Sequence, residues 1–178
     1  MSLDRLSPRE RERHDASVPA VRDRFVRGRM LLRTLAADLT GDDPLDIDII
    51  ATCPDCGGPH GAPQIAGRDL FVSLAHCDLG TIAAASLDHP VGVDVEPVAQ
   101  DAERLSAIGL LTGSPDLRSW TRVEAVLKAD GRGLRVEPGD VRYDSEGAAW
   151  VRGSNRRYLV AEHDVDPRIL VSLAIAMP

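Results

Sequence analysis

Apolar positions recur at helical spacing in the first part of the chain and at strand spacing through much of the rest. Ser7-Pro8 ahead of a charged run reads as an N-cap and first helical position. Pro19, soon after Ser17, opens a second helix. It runs through Phe25, Met30, Leu31, Leu32 and Leu35 to Asp38, and Thr40-Gly41 stops it. Asp46 to Thr52 predicts a strand. Pro54, Gly57, Gly58, Pro59, Gly61 and Pro63 exclude regular structure from Cys53 to Pro63. Strands are expected next at Leu70–Ala75, Thr81–Leu87 and Val91–Glu96, short and close enough to pair antiparallel. Helical patterns cover 101–111 and Pro115–Ala129, the latter ended by Gly131 and Gly133. The tail alternates strand-like runs at Asp140–Tyr143, Ala148–Arg152, Tyr158–Glu162 and Ile169–Ala176. This order predicts an α+β fold of two similar halves, each a helix packed on a small antiparallel sheet. The halves are 1–98 and 99–178, together one compact unit, with no internal sequence repeat.

Composition adds bounds. The 178 residues are 43% hydrophobic and 28% charged, as in a globular protein with a real core. No apolar run reaches the ~18 residues of a membrane span. The charged N-terminus has no apolar stretch behind it, so a cytoplasmic protein without a secretory signal is expected. Three cysteines are too few for a disulfide framework. Residues 1–33 hold nine arginines against five acids, on a chain whose net charge is −7. A basic end on an acidic body argues against a general nucleic-acid binder and permits a local anion site or a docking patch for an acidic partner.

Val91-Gly92-Val93-Asp94-Val95-Glu96 alternates strictly, with Gly92, Asp94 and Glu96 on one face. Two carboxylates on one strand face suit a hard cation such as Mg²⁺, and Gly92 beside them would leave room for a ligand. The competing reading is a half-buried strand with a wet acidic face. Lys128 is the one lysine against twenty arginines, which suggests a need for a compact ammonium rather than a planar fork. On a helix it shares a face with Glu124, four residues earlier, and with Trp120. The competing reading there is an ordinary Glu–Lys surface pair. His76 ends a strand and, with arginines of the basic helix, could face an anion. Cys53-x-x-Cys56 with His60, and His76-Cys77 further on, offer zinc ligands; the alternative is a turn-rich loop with free thiols.

Five elements, in this order and spacing, resemble the Sfp-type 4′-phosphopantetheinyl transferases. Val91–Pro97 is similar to their G-V-D-x-E motif, and Trp120–Leu134 to W-x-x-K-E-A-x-x-K-x-x-G-x-G-L. Arg24–Arg29 resembles their arginine-bearing helix, His60–Pro63 their G-K-P turn, and Ser73–Cys77 their S-x-S-H strand end. The resemblance spans roughly Ser7 to Val141. It implies two α/β halves with a site between them, and Mg²⁺-dependent transfer of phosphopantetheine from coenzyme A to a serine of an apo acyl or peptidyl carrier protein. By position it implies Asp94, Glu96 and Glu124 as metal ligands, Glu124 also as base, and Lys128 on the phosphates. His76, Arg24 and Arg29 would hold the 3′-phosphate. A monomer is expected. The chain departs from the pattern at Val123 and Ala62, where the family has lysine, and at Ala75, where it has serine. The link from Glu96 to Trp120 is short. The alternative is a catalytically reduced relative that binds coenzyme A or a carrier protein without turnover; a third is a small zinc-binding interaction protein.

Overall fold

The computed structural model describes residues 5–178. Helix α1 spans Pro8–Asp15 and opens with a reciprocal capping box, in which Ser7 caps the Glu10 amide and Glu10 caps that of Ser7. Helix α2 spans Pro19–Thr40, with Pro19 at its first position and Gly41 at φ 76° as its left-handed C-cap. Its buried side holds Leu32, Ala36 and Ala37 against Ile47, Ile49, Ile65 and Leu70.

The segment from Asp46 to Thr52 pairs as a strand only at Ile49–Ile50 (β1), opposite Gln64–Ile65 (β2). The expected strand is shorter because Pro63 cannot donate a ladder bond and the chain beyond Ile50 turns into a tight loop. Strands β3 (Phe71–Cys77) and β4 (Gly80–Ser86) form an antiparallel hairpin. Strand β5 (Val91–Pro97) leads to helices α3 (Ala102–Thr112) and α4 (Leu117–Asp130). Strands β6 (Val141–Tyr143), β7 (Ala149–Val151), β8 (Arg157–Glu162) and β9 (Ile169–Ala176) follow. They join β5 in one five-stranded antiparallel sheet of order β5-β9-β8-β7-β6.

The fold is α+β, with helices on antiparallel sheets. Its sheets are unequal: the first half closes only hairpins of its own, while β5 runs along β9 from Val91 opposite Ile175 to Pro97 opposite Ile169. A boundary at residue 98 therefore falls just after a strand that the second half's sheet takes up. The β3–β4 hairpin packs on that sheet through Ala75, Ile82 and Ala84 against Val93, Val95 and Val171. The Ser73 hydroxyl accepts a hydrogen bond from the Val93 amide at 3.0 Å, tying β3 to β5.

Helix α4 is capped by Asp116 and stopped by Gly131 at φ 80°. It lies on the sheet through Val123, Val126 and Leu127, packed with Val151, Tyr158 and Ala174. Gly92 corrects one sequence expectation. A Cβ there would lie 2.0 Å from the Ala125 carbonyl oxygen and 2.4 Å from the Ala129 amide nitrogen. The space beside Gly92 is filled by the α4 backbone, not kept for a ligand. The face bearing Gly92, Asp94 and Glu96 is thus covered, and Asp94 is only 7% exposed, so a wet acidic face is excluded there.

Candidate active site

The close crossing at Gly92 carries α4 over β5 and brings side chains of the two elements together. β5 presents Asp94 and Glu96 two residues apart, and α4 presents Trp120, Glu124 and Lys128 at one-turn intervals. Lys128 Nζ donates to Asp94 Oδ1 at 2.6 Å and to the Val93 carbonyl at 3.1 Å. Among the described residues its ion pair is with Asp94, not with Glu124 on its own helix. The surface Glu–Lys pair allowed by the sequence does not form. Asp94 Oδ2 is buried without a hydrogen-bond partner.

Glu96 is held from the other side. Arg104 of α3 donates to Glu96 Oε1 at 2.5 Å and the Trp120 indole N–H does so at 3.3 Å. The Arg104 guanidinium lies 5.8 Å from the Trp120 ring centroid. Sequence reasoning assigned no role to Arg104, in the short link. Its signal was faint: a first-turn arginine in a helix capped by Asp101, eight residues beyond Glu96.

The electrostatics show an excess of negative charge. Burial raises the Asp94 carboxyl above its ordinary value, Lys128 offsets part of this, and Glu96 adds to it. Burial likewise raises Glu124, and the charges of Asp94 and Glu96 push it the same way against Lys128 and Arg104. Crowded carboxylates with one orphaned buried oxygen are what a hard cation would relieve. Their oxygens do not all lie within 4.8 Å of one another; among the described residues, the group of candidate metal ligands that does is Cys53, Cys56 and His60.

His76, at the end of β3, donates to or accepts from Thr81 Oγ1 through Nδ1 at 3.0 Å. Gly28 lets α2 approach, since a Cβ there would sit 3.0 Å from His76 Cε1. Burial lowers His76 to about 4, and the charges of Arg24, Lys128, Arg27 and Arg29 add to the shift. His76 is therefore neutral at pH 7 beneath a field of cations. No described carboxylate lies within 4.0 Å of Arg24 or Arg27. Both are exposed. Arg29 is placed differently: it is 5% exposed, its Nε lies 3.3 Å from Glu10 Oε1, and its guanidinium stacks 5.0 Å from the Phe25 centroid. Arg33 takes the same carboxylate at 2.6 Å. Arg27, within the matched arginine helix but given no role from sequence, is the α2 arginine that joins Arg24 in an exposed position and also acts on His76.

The sign of the His76 shift gives a testable pH dependence. Its folded pKa is depressed, so its contribution to stability is present above about 6.5 and lost as pH falls through about 4. His76→Gln should flatten that part of the stability curve, read by urea midpoints across this window. An anion held beside His76 should raise its pKa. Proton NMR titration with and without adenosine 3′,5′-bisphosphate tests this, and an unchanged titration would show that no such anion is held beside His76.

Among the described residues, no helix is long and apolar enough to cross a membrane. A comparison with models of known protein families found no match, and a comparison with curated proteins found no similar sequence.

Proposed function

We propose that the protein transfers 4′-phosphopantetheine from coenzyme A to a serine hydroxyl of an apo carrier protein. The observation that carries this reading is the meeting of Asp94 and Glu96 from β5 with Glu124 and Lys128 from α4, beside the cationic rim at His76. The five-element sequence resemblance assigns those same residues to that reaction. The specific phosphopantetheinyl transferase architecture belongs to this proposal as well.

In the reaction the serine oxygen bonds to the phosphorus bearing the pantetheine arm. The bond from that phosphorus to the bridging oxygen breaks, and adenosine 3′,5′-bisphosphate leaves with the bond's electron pair. The serine proton passes to Glu124, whose raised pKa makes it a better base than an exposed carboxylate. The orphaned Asp94 oxygen and the excess of acids fit Mg²⁺, to be held by Asp94, Glu96 and Glu124. When bound, it supplies charge neutralisation at the pyrophosphate. Lys128 brings a compact ammonium to the same face, where it can follow the charge growing on the leaving phosphate. Arg24, Arg27 and His76 offer charge and hydrogen bonds to the 3′-phosphate end. Such transfer depends on positioning and charge compensation, which these groups provide.

One observation favours the reading without turnover. The protein's own cations already hold two of the carboxylates, Lys128 on Asp94 and Arg104 on Glu96. The test is incubation with coenzyme A, Mg²⁺ and several apo carrier proteins, followed by mass spectrometry for the phosphopantetheine addition. Addition by wild type, with steep losses in Glu124→Gln and Lys128→Arg, is the expected result. Coenzyme A binding by calorimetry without addition to any carrier would favour the binding protein. Wild-type rates in Lys128→Arg would remove Lys128 from the chemistry.

A further inference from the structure

The loop between β1 and β2 is folded around sulfur. Its backbone closes twice on itself: the Gly57 amide donates to the Cys53 carbonyl at 2.9 Å, and the Cys53 amide donates to the Gly58 carbonyl at 2.8 Å. The Gly58 amide donates to the Cys56 sulfur at 3.4 Å, and the Cys53 sulfur lies 4.0 Å from Asp55 Oδ2. Gly57 takes φ 72°, the left-handed turn that brings Gly58 back beneath Cys56. The second sulfur then meets an imidazole, with Cys56 Sγ 3.0 Å from His60 Nε2. Gly61 closes the loop: its amide donates to the Ala51 carbonyl at 2.8 Å, and a Cβ at Gly61 would lie 2.3 Å from the Thr52 oxygen.

These contacts gather Cys53 Sγ, Cys56 Sγ and a His60 nitrogen within 4.8 Å of one another. In a tetrahedral zinc site, ligands about 2.0–2.3 Å from the metal stand roughly 3.5–3.8 Å apart. The three atoms need only a small adjustment to reach that geometry. The Gly58 amide on the Cys56 sulfur is the second-shell support that thiolate ligands use, because it stabilises negative charge on sulfur and fixes its direction. Cys53 is buried while Cys56 and His60 are exposed, so a metal can enter from solvent. A turn-rich loop with idle thiols would not need an amide and an imidazole on the same sulfur.

We propose that Cys53, Cys56 and His60 bind one zinc ion, with solvent in the fourth position. Two soft sulfurs and a nitrogen select zinc over Mg²⁺, so this site is chemically separate from the acidic one. No fourth cysteine, histidine or acid among the described residues joins the group within that distance, which leaves the metal one exchangeable position. Binding releases the proton of each cysteine that enters as a thiol. The metal would also brace a cavity wall. Arg13 of α1 donates to the Pro59 carbonyl between the ligands, and Thr52, Gly57 and Pro59 line a cavity with Arg13, Phe25 and Arg29.

The proposal stands apart from the transferase reading. It is tested on the reduced full chain with zinc alone, and with cobalt as a spectroscopic substitute. One equivalent of zinc should bind. Cobalt should give a thiolate charge-transfer band and the intense visible bands of a tetrahedral ion. Zinc should slow the reaction of two of the three thiols with a disulfide reagent by at least about tenfold, leaving Cys77 as before, and a chelator should restore them. Cys56→Ser and His60→Ala replace exposed residues and should fold. Each should lose more affinity than the roughly 10–100-fold that removing a second-shell partner costs. The proposal is overturned if wild type binds no zinc, if either variant retains full affinity, or if Cys77 is the thiol protected.

Discussion

Gly92→Ala is expected to destabilise the protein and remove transfer together. The added methyl would stand 2.0 Å from the Ala125 oxygen and 2.4 Å from the Ala129 nitrogen. These are backbone atoms of a helix and cannot rotate aside, so α4 must lift from β5. Overpacking of this kind costs about 1–3 kcal/mol, and more where neither side yields. The functional loss should be larger in proportion. Glu124 and Lys128 ride on α4 while Asp94 and Glu96 ride on β5, and a displacement of about 1 Å costs roughly a hundredfold in rate. Urea unfolding and the carrier-modification assay measure the two effects separately. A wild-type unfolding midpoint in Gly92→Ala would refute the packing argument, whatever the transfer assay shows.

Asp94→Asn should separate stability from function in the opposite way. Asp94 and Glu124 have folded pKa values raised first by burial; the Glu96 charge adds to both, and that of Asp94 to Glu124. Their contribution to stability is therefore present below the ordinary carboxylate range and lost as pH rises through the folded values. At neutral pH the metal-free protein bears that cost, and Asn, which is never charged, removes Asp94's share. Lys128 loses its partner, but its side chain is 30% exposed and can turn to water. Metal-free Asp94→Asn should thus melt no lower than wild type at pH 7. His76 acts in the opposite direction between about 4 and 6.5, so the comparison is between variant and wild type at each pH. Mg²⁺ should raise the midpoint of wild type and not of the variant. Transfer should fall by roughly a thousandfold or more, since a metal at a phosphoryl group contributes several kcal/mol. An equal Mg²⁺ shift in both proteins would remove Asp94 from the proposed metal site.

Local chemistry made much of this chain legible. Ser7, Pro8 and Pro19 place the starts of α1 and α2, and Gly41 and Gly131 their counterparts at the ends of α2 and α4, because caps depend on residues a turn apart. Strict alternation located β5 and put Asp94 and Glu96 on one face, and helical spacing did the same for Trp120, Glu124 and Lys128. Cys53, Cys56 and His60 lie within eight residues, so their meeting in one loop was also within reach of the sequence.

What only the tertiary structure decided are relations between residues far apart in the chain. Lys128 pairs with Asp94, thirty-four residues away, rather than with the glutamate one turn back. Gly92 serves the α4 backbone rather than a ligand, which no single strand can reveal. Arg104 reaches back to Glu96, and Arg29 turns to Glu10 while Arg27 keeps its place near His76. β5 joins the second sheet through β9. Periodicity states which face a side chain is on; which partner covers that face is set by long-range packing, where burial and desolvation choose among charges that look equivalent in sequence.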